Sequence, residues 1–207
     1  DLEKSISQTL LDLKKFKDPV VIPVTAKSRI IVIGDVHGTY HSMLRICGEL
    51  VRRGMMDDSL KLKDPNTHMI FMGNIIDRSA HSSESLMLVF ALLHQNPDQV
   101  IYMRGSHENK GNWLNYDFPR ELKDRLGYQE SDPIFYQLNR VLERLPSRVH
   151  LRQNDGEILC LNSLYGLDYM AQTKENPSIA IFINAQSRSR VYQTTRGFDM
   201  LPFESGL

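Results

Sequence analysis

Apolar residues at Leu2, Ile6, Leu10 and Leu13, with Lys and Glu between them, keep the spacing of one helix face, so Asp1 to Phe16 predicts an amphipathic helix. Asp18-Pro19 and Pro23 break that pattern. The run Arg29-Ile30-Ile31-Val32-Ile33 is short, β-branched and ends at Gly34, as a buried strand does. Residues 34 to 39 then read as a loop. Met43, Ile46, Cys47, Leu50 and Val51 restore the helical period, and Gly54 is placed to end that helix in the left-handed conformation. The same unit returns with a strand at Met69 to Met72, a loop at Gly73 to Ser79 and a helix at Ser83 to Gln95 stopped near Pro97. It begins a third time with Val100 to Met103 and the loop Gly105 to Asn109. Strands alternating with helices pair in parallel through right-handed crossovers, so all three loops are expected at one edge of a sheet.

Further along, Pro119 to Leu126 and Pro133 to Leu145 predict two helices that cover the sheet, the second with Asp132 as N-cap and Pro133 at its first position. Arg148 to Arg152 and Glu157 to Leu161 flank Asn154-Asp155-Gly156, a hairpin turn. Ile179 to Ile183 and Val191 to Thr194 read as later strands, which makes the second half more antiparallel. The stripe Leu86, Val89, Phe90, Leu93 belongs to the core, and Trp113, Tyr116 and Phe118 are expected to pack over the sheet. His41, His68, His81 and His94 read as surface or helix histidines. There is no internal repeat and no low-complexity tract.

With 207 residues the chain is long enough for one domain with a real core, and 41% apolar against 24% charged residues argues against disorder. We expect a single domain over 1–207, with 1–27 an N-terminal helix and linker and 28–207 a core whose C-terminal half is short. The 25 basic residues balance the 25 acidic ones, so no global field draws the chain to nucleic acid or an anionic membrane. Leu86 to Leu93, the longest apolar run, is far below the roughly 20 residues of a membrane span, so no transmembrane segment is expected. Cys47 and Cys160 lack metal-binding spacing and make no disulfide framework, which favours a soluble protein of the cytoplasm or another reducing compartment. The chain opens at Asp1 without a methionine, as an excised fragment would, and a targeting segment would then lie outside it.

The three loops read Gly34-Asp35-Val36-His37-Gly38, Gly73-Asn74-Ile75-Ile76-Asp77-Arg78-Ser79 and Arg104-Gly105-Ser106-His107-Glu108. In order and placement they resemble the calcineurin-like metallophosphoesterases, most closely the serine/threonine phosphoprotein phosphatases, whose pattern is GDxHG, then GDxxDRG, then RGNHE. The resemblance implies an α/β fold, the αββα sandwich of two central mixed sheets flanked by helices. It also implies two metal ions bridged by a carboxylate and a hydroxide that attacks phosphorus, with paired dications stabilising the attacking and leaving oxygens. By that pattern Asp35 and His37 are ligands of the first metal, His107 is the general acid, Asp77 orients it, and Arg78 with Arg104 is placed to bind phosphate. Arg78 and Arg104 have a second reading, as partners of Asp35 in a vacated pocket, and His107 with Asp77 a second one as a bond holding two loops together.

The departures from the pattern are concentrated at the metals. Asn74 stands where the family has its bridging aspartate, Ser106 where it has an asparagine ligand, and Ser79 where it has a glycine. A later strand that should end in a ligand His instead runs into Asn162-Ser163-Leu164, and the best match to the last ligand His is Ala185 in Ile183-Asn184-Ala185-Gln186. The seven histidines are at 37, 41, 68, 81, 94, 107 and 150, so none lies beyond His150. Two dications ~4 Å apart repel by on the order of 16 kcal/mol at an effective dielectric of ~20, and a bridging carboxylate offsets part of this. A neutral Asn74 amide offers one oxygen beside an NH₂ and cannot bridge in that way. We therefore expect no resident cofactor, or one weakly bound divalent metal (Mn, Fe or Zn) at Asp35 and His37. The expected function is an inactive or severely impaired phosphatase-like protein, a pseudophosphatase that serves as an interaction or assembly module with a protein partner. The alternatives are a one-metal phosphoesterase of altered mechanism and a phosphoresidue reader that binds without hydrolysing.

Overall fold

The computed structural model describes residues 2–13, 18–109, 112–153, 156–161, 179–183 and 190–191. Chain order is α1 (Leu2–Asp12), β1 (Val20–Pro23), β2 (Arg29–Ile33), α2 (Tyr40–Arg52), β3 (Thr67–Phe71), α3 (Ser82–Gln95), β4 (Val100–Tyr102), a 3₁₀ turn (Trp113–Asn115), α4 (Phe118–Leu126), α5 (Pro133–Arg144), β5 (Arg148–Gln153), β6 (Gly156–Leu161), β7 (Ile179–Ile183) and β8 (Arg190–Val191). The two strand-loop-helix units and the third strand and loop therefore stand where the periodicity puts them. β2, β3 and β4 form an all-parallel sheet in that order, with Ile33 beside Phe71 and Phe71 beside Tyr102. The second sheet is mixed, in the order β1-β5-β6-β7-β8, with β5 antiparallel to β6 and β6 parallel to β7.

Continuous apolar strands follow from burial on both faces. Met69 and Phe71 of β3 and Val100 and Tyr102 of β4 face the helices, while Ile70, Met72, Ile101 and Met103 face the other sheet. That second face meets Ile22 and Val24, on and just past β1, and Val149 and Leu151 of β5. All five helices share the first cluster, so among the described residues one helical layer, a parallel sheet and a mixed sheet lie in sequence. Leu86, Val89, Phe90 and Leu93 are at most 1% exposed, in agreement with a core stripe. No described helix is long and apolar enough to cross a membrane.

Two expectations need correction. β1 falls between the two prolines read as breaks, and it is the end strand of its sheet, the position where proline costs no ladder hydrogen bond. Asp132 precedes α5 but its carboxylate does not cap the helix, because it turns back to accept from the Gln129 N–H at 2.7 Å. The second half is more antiparallel, as expected: among the described strands β5 pairs with β6 and β7 with β8 antiparallel and β6 with β7 in parallel, whereas β2, β3 and β4 are all parallel. The turn residues Asn154 and Asp155, and Tyr192 to Thr194 of the last strand expected, lie outside the described residues.

Candidate functional site

The three loops leave the C-terminal ends of β2, β3 and β4 and knit into one another. The Val36 and His37 amides donate to the Asn74 carbonyl at 3.1 and 2.8 Å, and the Gly38 amide to that of Ile75 at 2.7 Å. Four of the five non-glycine residues with positive φ in the described chain are here, His37 (45°), Asn74 (53°), Asp77 (70°) and Arg78 (63°). Strain of this kind persists only where surroundings enforce it, and it gathers at functional sites. Gly73, at φ 97°, passes so close to the third loop that a Cβ would sit 2.3 Å from the Gly105 nitrogen.

Glu108 is the post that holds this arrangement. Fully buried, its carboxylate accepts from the amides of Asn74 (2.7 Å), Ile75 (2.7 Å) and Gly105 (2.9 Å) and from the Tyr102 hydroxyl (2.9 Å). Burial raises its pKa, against the pull of those donors, and together with Glu108 it pushes the Tyr102 hydroxyl well above its ordinary value. A second buried carboxylate, Glu121 of α4, accepts from the Ser82 and Ser83 amides at 2.8 Å each and so ties down the start of α3. Ser82 in turn accepts from the Asp77 amide through its hydroxyl at 3.1 Å. Sequence reasoning assigned neither glutamate a role. Glu108 stands inside a quoted loop, whereas Glu121 looks like any acid in a first helical turn.

Asp77 and His107 meet as the motif implies. Asp77, fully buried, accepts at 2.7 Å from His107 Nδ1 and at 2.9 Å from the Phe118 amide. The carboxylate can only accept, so Nδ1 donates to it, and Nε2 is the ring nitrogen left over. That nitrogen faces Arg78 Nη2 at 3.5 Å. The exposed Tyr116 ring stacks on His107 with centroids 4.5 Å apart, and His37 meets it edge-on at 4.7 Å. Trp113 and Phe118 are instead fully buried, Trp113 stacking on Phe135 of α5, so of these three aromatics Tyr116 does not follow the packing expectation.

Asn74 is the pivot of the site. Its Oδ1 accepts from the His107 amide at 3.0 Å and the Ser106 hydroxyl at 3.3 Å, and its Nδ2 donates to Asp35 at 3.1 Å. The assignment of oxygen and nitrogen is forced, because a backbone N–H needs an acceptor and a carboxylate needs a donor. The amide oxygen is thus spent on the third loop, and an NH₂ faces the acid. His37 Nδ1 bonds the Ile76 carbonyl at 3.0 Å, while its buried Nε2 lies 3.7 Å from Asp35 without a hydrogen bond. Burial disfavours a charged His37, but Asp35 and the Ile76 carbonyl outweigh it and its pKa is raised.

The vacated-pocket reading turned both arginines toward Asp35. In the structure Arg78 Nη2 turns to His107, and Arg104 donates to the Glu143 carbonyl at 3.2 Å, at the end of α5. Ser79, in the glycine position, gives its hydroxyl to the Gly38 carbonyl at 3.0 Å. Among the described residues no group of three or more His, Cys, Asp or Glu is placed to hold a metal. The donors among the described residues fit one ion weakly, through Asp35 and His37 Nε2, and do not fit a bridged pair. Asn162 and Ala185 lie outside the described residues. The surface histidines pair locally, His41 with the His81 ring and His94 with Asp12, while His68 is half-buried on β3.

The chain matches the calcineurin-like phosphoesterase family model over residues 28–189. It is 32% identical over 124 residues to the catalytic subunit of serine/threonine-protein phosphatase 6 of Caenorhabditis elegans, covering 60% of this chain and 33% of that protein. It is 29% identical over 123 residues to the PP2A-like serine/threonine-protein phosphatase PPG1 of Candida albicans, covering 59% of this chain and 26% of that one. The chain therefore spans a third or less of the length of these two relatives. A solved serine/threonine phosphatase from Saccharomyces cerevisiae, described as similar to human phosphatase PP5, superposes with a TM-score of 0.62 at 23% identity, over 78% of this chain and 47% of that one. A cold-active protein-tyrosine phosphatase of a Shewanella species superposes with a TM-score of 0.56 at 18% identity, over 81% and 51%. These two structural likenesses show the fold.

Proposed function

We propose a function for this chain from one premise: it belongs to the calcineurin-like phosphoesterase family. Its relatives in sequence are serine/threonine phosphatases. Our reading is that it is a pseudophosphatase, a chain that keeps the phosphatase frame without the two-metal centre and works as an interaction or assembly module. The observation that carries this is the Asn74 side chain. Where the family pattern has a bridging carboxylate, an amide donates to Asp35 and gives its oxygen to the third loop. A hydrogen bond thereby joins the first and second loops at the place where shared metal ions would join them. The buried pair His107 and Asp77, with the exposed Arg78 beside it, then acts as a latch between loops.

A phosphatase assay on p-nitrophenyl phosphate and a phosphopeptide, with added manganese, tests the reading. No turnover above a His107→Ala control is expected. Turnover that the control abolishes would overturn it.

One observation favours a second reading. His37 Nε2 is buried with no hydrogen-bond partner and its lone pair is on the side of Asp35. One divalent ion held there would supply positive charge to a phosphoryl oxygen, and Arg78 would hold a second oxygen. This one-metal reading requires Asp35→Ala to remove both metal and activity. The phosphoresidue reader has less support, since an Nη of Arg104 is engaged at the end of α5.

A further inference from the structure

We propose that His41 and His81 form a zinc site where the N-terminal ends of α2 and α3 meet, distinct from Asp35 and His37, with two imidazoles on one ion and water completing its shell. His41 is the second residue of α2 and His81 immediately precedes α3, so each stands at the start of the helix that follows its loop. The backbone under them is fixed. Gly38 passes so near the second loop that a Cβ there would lie 2.8 Å from the Ser79 Cβ, and the Ser79 hydroxyl donates to the Gly38 carbonyl at 3.0 Å. Glu121 holds the Ser82 and Ser83 amides, so the start of α3 cannot swing away. Both imidazoles are reachable from solvent, His41 exposed and His81 partly so.

The ring centroids of His41 and His81 lie 5.6 Å apart, with the planes at 72°. Zinc takes imidazole nitrogen at about 2.0–2.1 Å in a tetrahedral shell, and with about 1.1 Å from nitrogen to centroid two rings on one ion have centroids about 5.2 Å apart. The pair therefore stands within about 0.4 Å of the chelating separation. Turning the exposed His41 ring about its broad terminal torsion brings a nitrogen to face its neighbour. His81 Nδ1 is 3.6 Å from Glu84 Oε1, which leaves Nε2 for the ion. A carboxylate behind the far nitrogen is the outer shell that orients a metal-bound imidazole. Both rings sit at helix N-termini, where the positive end of the dipole disfavours the imidazolium and keeps the neutral, ligating form. The same field and Arg125 oppose a cation, and Glu84, which also pairs with Arg125, offsets them. Among the described residues no third His, Cys, Asp or Glu joins the pair, so its affinity is micromolar and below that of a four-ligand structural zinc. Manganese, which prefers carboxylate and water to imidazole, is not retained there. A bound zinc ties the first loop to the second from outside the closure that Asn74 makes.

Zinc chloride titrated calorimetrically into the full chain at neutral pH is the test, with thermal melting as a second readout. A zinc event at one ion per chain and micromolar affinity is expected, weaker by about tenfold or more in His41→Ala and in His81→Ala. Zinc is also expected to raise the melting temperature of the wild type and of neither variant. Both side chains lie at the surface, so their truncation leaves no cavity and the variants are expected to fold. His37→Ala separates this site from the one at Asp35, and is expected to keep both the zinc event and the rise in melting temperature. No binding tighter than millimolar, an affinity unchanged in either of the two surface variants, or loss of the event in a folded His37→Ala would each overturn the proposal. Should His37→Ala lose its native circular dichroism, the two surface variants decide alone.

Discussion

Asn74 is the residue on which the site turns, and its replacement by the acid of the family pattern is the sharpest local test. Asn74→Asp would set a second carboxylate about 3 Å from Asp35 and leave the His107 amide as its only strong donor, a loss of about 1–3 kcal/mol. We predict a lower melting temperature than wild type in chelator and a partial recovery on adding manganese, which the wild type does not show. Melting together with the wild type in chelator would mean that the amide bond to Asp35 contributes nothing. The substitution itself was legible in the sequence, because a motif fixes order and spacing. What the residue does was not, since no pattern says which way an amide faces. That direction comes from the His107 N–H on one side and the Asp35 carboxylate on the other. Glu108 shows the same limit, as a motif letter that becomes a four-donor post only when the loops are folded.

At the scale of the element, the strand-loop-helix units were legible because their periods are strong and their loops short. β1 was hidden because Val20-Val21-Ile22 has no period of its own and lies between prolines, and only its place beside β5 makes it a strand. Asp132 misled for a related reason, since an acid before Pro133 can cap the helix ahead or bond the chain behind, and here it does the latter. β3 carries a pH dependence. Burial lowers the pKa of His68 on that strand, against a bond to the Asn66 backbone, and its Nδ1 has no hydrogen-bond partner. The unfolded chain therefore binds that proton more readily than the folded one, and the stability contributed by a neutral His68 is present above about pH 6.5 and lost as the pH falls below it. Relative to His68→Leu, the wild type is expected to lose melting temperature between about pH 7.5 and about pH 5.5. Parallel curves would show that His68 is not strained by its proton.

For the whole molecule, the fold and the state of the centre separate cleanly. The frame is that of a phosphatase, and the burial pattern of β3 and β4 was foreshadowed by uninterrupted apolar runs. The centre was legible as a set of departures, Asn74, Ser106 and Ser79 among them, and the structure adds a hydrogen-bonded closure of three strained loops around them. On the proposed reading this closure stands where the family pattern has two ions. Elemental analysis of metal per chain tests it most directly, on the full chain purified without chelator, equilibrated with manganese and passed through gel filtration. The account predicts no ion retained, or at most a fraction of one at Asp35 and His37. Two tightly bound ions per chain would contradict it.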